Sequence, residues 1–312
     1  MKISWIVPVF NPGVFLDEAV MSILSNSVAN VEAEILLVDD CSTESLTLDL
    51  LRKWSIHPDV KVIRQPQNGG PARARNAGMR AATGDWLAYL DADDILAAGS
   101  IALRAKAILN VPTIAWIAGD MVEIREPGKT SYLNSFPFAT RDGVEIMPHV
   151  FLVEQPTVRL AGWPMLPFMG SMMFRRSLLE KTGFFEEKLI YGEDIYFCLI
   201  LSLFANLYWI DQPSLQLRRY HESMTKNLVR GAREAPQASL ACLRDPRLQS
   251  IRREMRWHYA ANLRQSSGVF AHHGLHLESM KAALKAILVS PNDPRGFRSL
   301  LASFSTKRKT SS

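Results

Sequence analysis

The sequence holds few cysteines: Cys41, Cys198 and Cys242 lie far apart, with no CxxC pair among them. Such spacing offers neither a disulfide framework nor a structural zinc site, and it suits a reducing compartment. Long apolar runs are also missing. The longest uncharged stretch, Ile195 to Ile210, is interrupted by Ser202 and Asn206. It falls short of the roughly 20 residues a membrane-crossing helix needs and reads as a buried helix breaking into a strand. Met1-Lys2 runs into "ISWIVPVF" with no small-residue cleavage pattern behind it, so no secretory signal is expected and the expected location is cytoplasmic. No GxGxxG follows a strand and no GxxxxGK[ST] occurs, which excludes dinucleotide redox chemistry and P-loop nucleotide hydrolysis.

What is present suffices for one large core with a smaller appendage: 312 residues, 47% of them hydrophobic. The formal charge of +5 is unevenly placed. From Gly231 to Ser312 there are 14 Lys/Arg against 5 Asp/Glu, a net of +9, and residues 1–230 carry 22 against 26, a net of −4. Because the basic excess sits in the tail, no nucleic-acid partner is expected for the main domain.

Along the first half, "ISWIVPVF", "EILLVDD", "VKVIRQ" and "WLAYLDA" read as strands. Phe15–Asn26, Ser42–Ser55, Pro71–Ala82 and Ala97–Asn110 carry apolar residues at helical spacing. Ser42 is the expected cap of the second helix. This alternation predicts an α/β fold, a mainly parallel sheet covered on both faces. Residues 125–170 suit loops and short helices roofing a cleft, with Pro and Gly scattered among aromatics. Helical patterning returns at Ser177–Thr182 and from Glu193, followed by strand-like "LYWID" and "LQLRRYH". Beyond about Lys226 the pattern is helical only.

Ligands of an open parallel sheet bind outside the carboxyl ends of its strands. Asp39 and Asp40 end the second expected strand; Asp91, Asp93 and Asp94 end the fourth; Asn11 and Pro12 follow the first. One helix cap explains one aspartate and not three together. Clustered carboxylates suit a hard cation, Mg2+ or Mn2+, with phosphate oxygens filling its remaining positions. Asp40 reads equally well as a helix cap. Of Arg73 and Arg75, on different sides of one helix, at least one is expected to be a solvated surface charge. Glu193-Asp194 opens an apolar helix, where acids favour the dipole but could also serve as a general base. His272, His273 and His276 have partial ligand spacing without further ligands nearby and read as solvated surface.

"VPVFN", "VDDCSTE", "NGGPARARNAG", "GDWLAYLDADD", "FFEEKLIYGEDIYF" and "RRYHESMT", in that order, resemble the motifs of family 2 glycosyltransferases, inverting enzymes of the GT-A fold. The resemblance covers roughly residues 1–225 and implies a catalytic domain there, a Rossmann-like mixed sheet, with 226–312 a basic helical extension. By it, Pro8, Val9 and Asn11 floor the nucleotide pocket and Asp39 and Asp40 border the base and ribose. Arg75 approaches base or phosphates, and Asp91, Ala92 and Asp93 form the DxD segment holding donor and metal, Mn2+ or Mg2+. Asp194 becomes the general base, with Glu193 positioning the acceptor, and His221 a further metal or diphosphate ligand. The implied partners are a nucleotide-sugar donor, UDP-linked by family frequency, and a glycan or lipid-linked saccharide acceptor. The QxxRW segment of processive synthases is missing, which argues for adding one sugar or a few. Two rivals compete: a haloacid-dehalogenase-like phosphatase using "LDADDIL", although that motif normally ends a first strand, and a sugar-nucleotide-binding relative without turnover. The tail is expected to pack on the catalytic domain or on a second copy in a homodimer; its basic amphipathic helices also suit peripheral contact with the inner face of the plasma membrane.

Overall fold

The computed structural model describes residues 1–134, 136–161, 167–219 and 227–303. The chain divides into two units, one of residues 1–188 and 197–221, the other of 189–196 and 222–312.

The first unit is built on a mixed sheet. Its parallel half holds β1 (Lys2–Val9), β2 (Glu32–Asp39), β3 (Val60–Arg64) and β4 (Trp86–Tyr89), in the order β3-β2-β1-β4. Helices α1 (Phe15–Ser25), α2 (Ser45–Trp54), α3 (Gly70–Ala81) and α4 (Ser100–Asn110) alternate with these strands, with the two-residue β5 (Ile95–Leu96) before α4. Alternation along β1 explains the double cover. Trp5, Val7 and Val9 join the core with Leu16 of α1, Trp54 of α2 and Ile101 of α4, and Ile6 points the other way onto α3. There Gly78 is required for close packing: a Cβ on it would lie 2.4 Å from Ile6 Cγ2.

Residues 125–170 depart from the loop-and-helix expectation. They contribute to β6 (Trp116–Glu126) and contain β7 (Lys129–Leu133), β8 (Val144–Met147) and β9 (Val150–Val153), with short helices α5 (Pro137–Asp142) and α6 (Pro156–Ala161). Strands β7 and β8 are short and largely exposed, so the run of apolar residues that marks buried strands is absent. Pro127-Gly128, with Gly128 at φ 78°, turns β6 back into β7, and that dipeptide was the available signal. Beyond β4 the sheet continues through β10 (Met173–Arg175), β6 and β11 (Leu207–Arg218) to β9 and β8. The two expected strands at 207–211 and 215–221 are thus one strand, shifted in register around Pro213. A short helix α7 (Leu179–Thr182) and the helix α8 (Glu193–Leu201) precede it; Phe197–Leu201 of α8 are buried.

In the second unit the described helices are α9 (Leu228–Arg244), α10 (Arg252–His272), α11 (His276–Val289) and α12 (Pro294–Ser303). Asp245, after α9, accepts hydrogen bonds from Tyr196 Oη at 2.6 Å and from the Arg247 amide at 2.8 Å, and pairs with the Arg247 guanidinium at 2.7 Å. No described helix is long and apolar enough to cross a membrane.

Candidate active site at the carboxyl ends of the strands

Register places the candidate residues. Val9, Asp39 and Arg64 are cross-strand partners at the ends of β1, β2 and β3, and the Leu90 amide donates to Ile6 O as the chain leaves β4. The segments after all four strands therefore meet on one rim. Two of them contain residues in the left-handed region, Asn11 at φ 50° and Cys41 at φ 66°, a conformation that persists in non-glycine residues only when neighbours hold it.

The loop after β2 holds Asn11 in place. Asn11 Oδ1 accepts the amides of Thr43 at 2.8 Å and Glu44 at 3.0 Å, and the Asn11 amide donates to Ser42 Oγ at 3.1 Å. Ser42 therefore does not cap α2, contrary to the expectation from its position; the Asn11 side chain, from the loop after β1, binds the amides leading into that helix. The reason is geometric, since the turn at Cys41 delays the helix until Ser45. Pro8 is half-buried, Val9 is buried with its carbonyl accepting from the Asp40 amide at 2.8 Å, and Phe10 is exposed on the rim.

Asp39 and Asp40 are both buried and both engaged within the protein. Asp39 accepts from the Ser42 amide at 2.8 Å and pairs with Arg64 at 2.6 Å. Asp40 receives the Gly69 amide at 2.9 Å on one oxygen and the Gly70 amide at 2.7 Å on the other. Asp40 is a capping residue, for α3 rather than for the helix that follows it in sequence. Gly70, at φ 80°, makes the turn that presents both amides.

The acidic segment after β4 splits into different environments. Asp91 keeps a half-exposed side chain, 44% accessible, and pairs at 3.0 Å with Arg75, whose own side chain is buried and whose guanidinium lies 5.7 Å over the Phe185 ring. Ala92 is buried and Asp93 half-buried. Asp94 turns inward, where its carboxylate accepts the Arg218 amide at 2.9 Å. Burial, with the like charges of Asp93 and Asp91, holds its carboxyl well above the ordinary range, against the pull of Arg218. Arg218, buried at the end of β11, also donates to the Asp93 carbonyl at 2.7 Å, pairs with Glu18 of α1 and stacks 4.7 Å from the Phe15 ring centroid. Arg219 points elsewhere, to Glu123 at 3.2 Å. The only sequence signal for Glu18, the partner of Arg218, is its place in the first turn of α1.

Asp91 and Asp93 supply hard oxygen donors on an accessible rim, a set that fits Mg2+ or Mn2+, which takes one or two protein carboxylates and leaves the rest to phosphate and water. Asp94 is committed to Arg218. Among the described residues no group of three His, Cys, Asp or Glu side chains could hold a metal unaided. His221 lies outside the described residues. His273 and His276 turn their Nδ1 atoms to the carbonyls of Val269 and Ser303, at 2.9 and 3.0 Å. Glu193 is buried and Asp194 half-buried at the start of α8, Asp194 Oδ1 accepting the Ile195 amide at 2.8 Å; both count with the second unit. A cavity of about 660 Å3, lined by Lys2, Trp5, Asn26, Glu34 and Lys61 among others, opens at the amino ends of β1 and β2, away from this rim.

A parallel sheet with a carboxylate-bearing loop at its carboxyl edge, continued through the antiparallel β10 into the parallel pair β6 and β11, defines an α/β protein of the GT-A class. The model of glycosyl transferase family 2 matches residues 4–183, and the chain belongs to that family. An uncharacterised glycosyltransferase of Haemophilus influenzae is 39% identical over 97 residues, 30% of this chain and 37% of that protein. The poly(ribitol-phosphate) β-N-acetylglucosaminyltransferase TarS of Staphylococcus aureus is 34% identical over 97 residues, 31% of this chain and 17% of that protein. The crystal structure of TarS 1–349 in complex with UDP-GlcNAc superposes with a TM-score of 0.68 at 20% identity, covering 97% of this chain and 89% of that one. Mannosyltransferase PcManGT from Pyrobaculum calidifontis, in complex with GDP-Man and Mn2+, gives 0.58 at 18% identity, covering 96% and 85%. At those identities the structural likeness establishes the fold. The matched stretch spans 37%, 18% and 17% of three curated relatives.

Proposed function

We propose that this chain is an inverting glycosyltransferase that moves one sugar from a nucleotide-diphosphate donor to a hydroxyl of a glycan or lipid-linked acceptor, in the synthesis of a surface polysaccharide or glycoconjugate. The observation that carries the reading is the half-exposed Asp91 beside half-buried Asp93 just after β4, on the rim where this sheet type receives its ligand. Mn2+ or Mg2+ held by these two carboxylates would offset charge on the leaving diphosphate. Arg75, already oriented by Asp91, is placed to turn toward a phosphate. Asn11 and the Gly69-Gly70 turn shape the base pocket, so Asp40 acts on the nucleotide through the turn it anchors. His221 is assigned to the metal or diphosphate by resemblance alone.

In the reaction the acceptor oxygen bonds to the anomeric carbon as the bond from that carbon to the diphosphate oxygen breaks on the opposite face. Asp194 takes the hydroxyl proton, and Glu193, buried beside it in sequence, positions the acceptor. A UDP-sugar is the donor we favour, because UDP-GlcNAc is the ligand named for the TarS structure. The test is release of nucleoside diphosphate from UDP-sugars with Mn2+ and an acceptor. Asp194→Asn should keep donor binding by calorimetry and lose transfer by about 100- to 10,000-fold. Unimpaired transfer in that variant would remove Asp194 from the role; phosphate release from simple esters, or donor binding with no turnover under any acceptor, would sink the transferase reading.

A further inference from the structure

Helices α11 and α12 carry their large apolar residues on the outside. In α11, Ser279, Ala282, Ala283 and Ala286 are buried, whereas Leu277, Leu284 and Leu288 share the opposite stripe and are exposed, Leu288 to 82%. In α12, Gly296 and Ser303 are buried while Phe297 and Leu301 are exposed, Leu301 to 73%. Close approach explains the small inner residues, since a Cβ on Gly296 would stand 2.9 Å from Ile287 Cγ1. It does not explain leucines facing water, where a helix normally shows charge.

His276 Nδ1 meets the Ser303 carbonyl at 3.0 Å, tying the first turn of α11 to the last turn of α12, so the two helices run antiparallel. At 100° per residue, that arrangement turns both apolar stripes to the same side of the pair. Lys281 within the α11 stripe and Arg298 on α12 border this face, and both are exposed. The Asp293 carboxylate between the helices is neutralised by Arg264 at 2.8 Å and Arg295 at 2.8 Å. In sequence the chain continues past α12 to Lys307, Arg308 and Lys309.

We infer that this face docks on an anionic phospholipid bilayer, its leucines and phenylalanine entering the acyl boundary and its cations meeting the headgroups. Apolar side chains flanked by lysine and arginine on helices lying in the interface plane are the features such binding requires. Charge favours lipid over a second copy, because a two-fold pairing through this face would bring like cations together. The inference is independent of the sugar-transfer reading, since it is read out by vesicle binding and not by turnover.

The experiment is flotation of the full chain with vesicles of phosphatidylcholine alone or with roughly 30% phosphatidylglycerol. The chain should float with the anionic vesicles only. Leu288→Glu with Leu301→Glu should lower the bound fraction at least about tenfold while leaving the melting temperature unchanged, both side chains being exposed. Lys281→Glu with Arg298→Glu should weaken binding in the same direction, and added salt should mimic it. Absence of binding to anionic vesicles, or binding untouched by the leucine variants, overturns the inference. So does a lipid-free, concentration-dependent dimer that Leu288→Glu abolishes, which would assign the face to a second copy.

Discussion

Replacing Asp40 separates a structural carboxylate from one that reads a nucleotide. Its two oxygens receive the amides of Gly69 and Gly70 at 2.9 and 2.7 Å, and the residue is 3% exposed. Hydrogen bonds to a charged group contribute about 1.5–3 kcal/mol each. Asp40→Ala loses both and leaves the amides of two half-buried glycines at the start of α3 without their acceptor, so a destabilisation of up to about 3–6 kcal/mol is expected. Asp40→Asn keeps one acceptor and turns a donor toward the other amide, and about half that loss should follow. For a domain of this size each kcal/mol moves the thermal midpoint by about 2–4 °C, which calorimetric or fluorescence melting resolves easily. The expected result is a lowered midpoint in the ligand-free protein, larger for Ala than for Asn. A midpoint unchanged in both variants, with nucleotide affinity reduced, would refute this reasoning and return Asp40 to direct contact with the base.

Other perturbations have equally definite outcomes. Arg218→Met removes the guanidinium held by Glu18 and the Asp93 carbonyl but keeps the backbone amide that binds Asp94; urea denaturation should show a loss of about 2–4 kcal/mol, and no loss would mean the clamp is slack. Asp91→Asn should weaken UDP binding in the presence of Mn2+ by about 10–100-fold and leave metal-free binding nearly unchanged, as calorimetry can measure. Burial would push the Asp245 carboxyl up, yet Arg247 and Tyr196 together bring it down from 3.8 to about 2. A depressed folded value stabilises above the unfolded value, and that contribution disappears as pH falls from about 4 to about 2. Asp245→Asn should therefore cost about 1–2 kcal/mol at neutral pH and only about a few tenths near pH 2, and a gap in urea midpoints undiminished at about pH 2 would contradict it.

The sequence by itself determined the alternation of strands and helices, the helical tail, and the order of rim motifs that marks the family, because each of these depends on local periodicity or on residues a few positions apart. Trp86–Tyr89 is apolar at every position, and β4 could be read directly. Strand β7 escaped because four of its five residues are exposed and it lacks the run of apolar residues that buried strands show. Which carboxylate does what was decided only in three dimensions. Asp39, Asp40, Asp91 and Asp94 are alike in sequence, each ending a strand. Their fates depend on partners 16 to 124 positions away: Arg64, the Gly69 and Gly70 amides, Arg75 and the Arg218 amide. No local pattern encodes a partner at that distance. The outward leucines of α11 follow the same logic, since helical spacing displays two candidate faces and only packing against small residues selects the one that is buried.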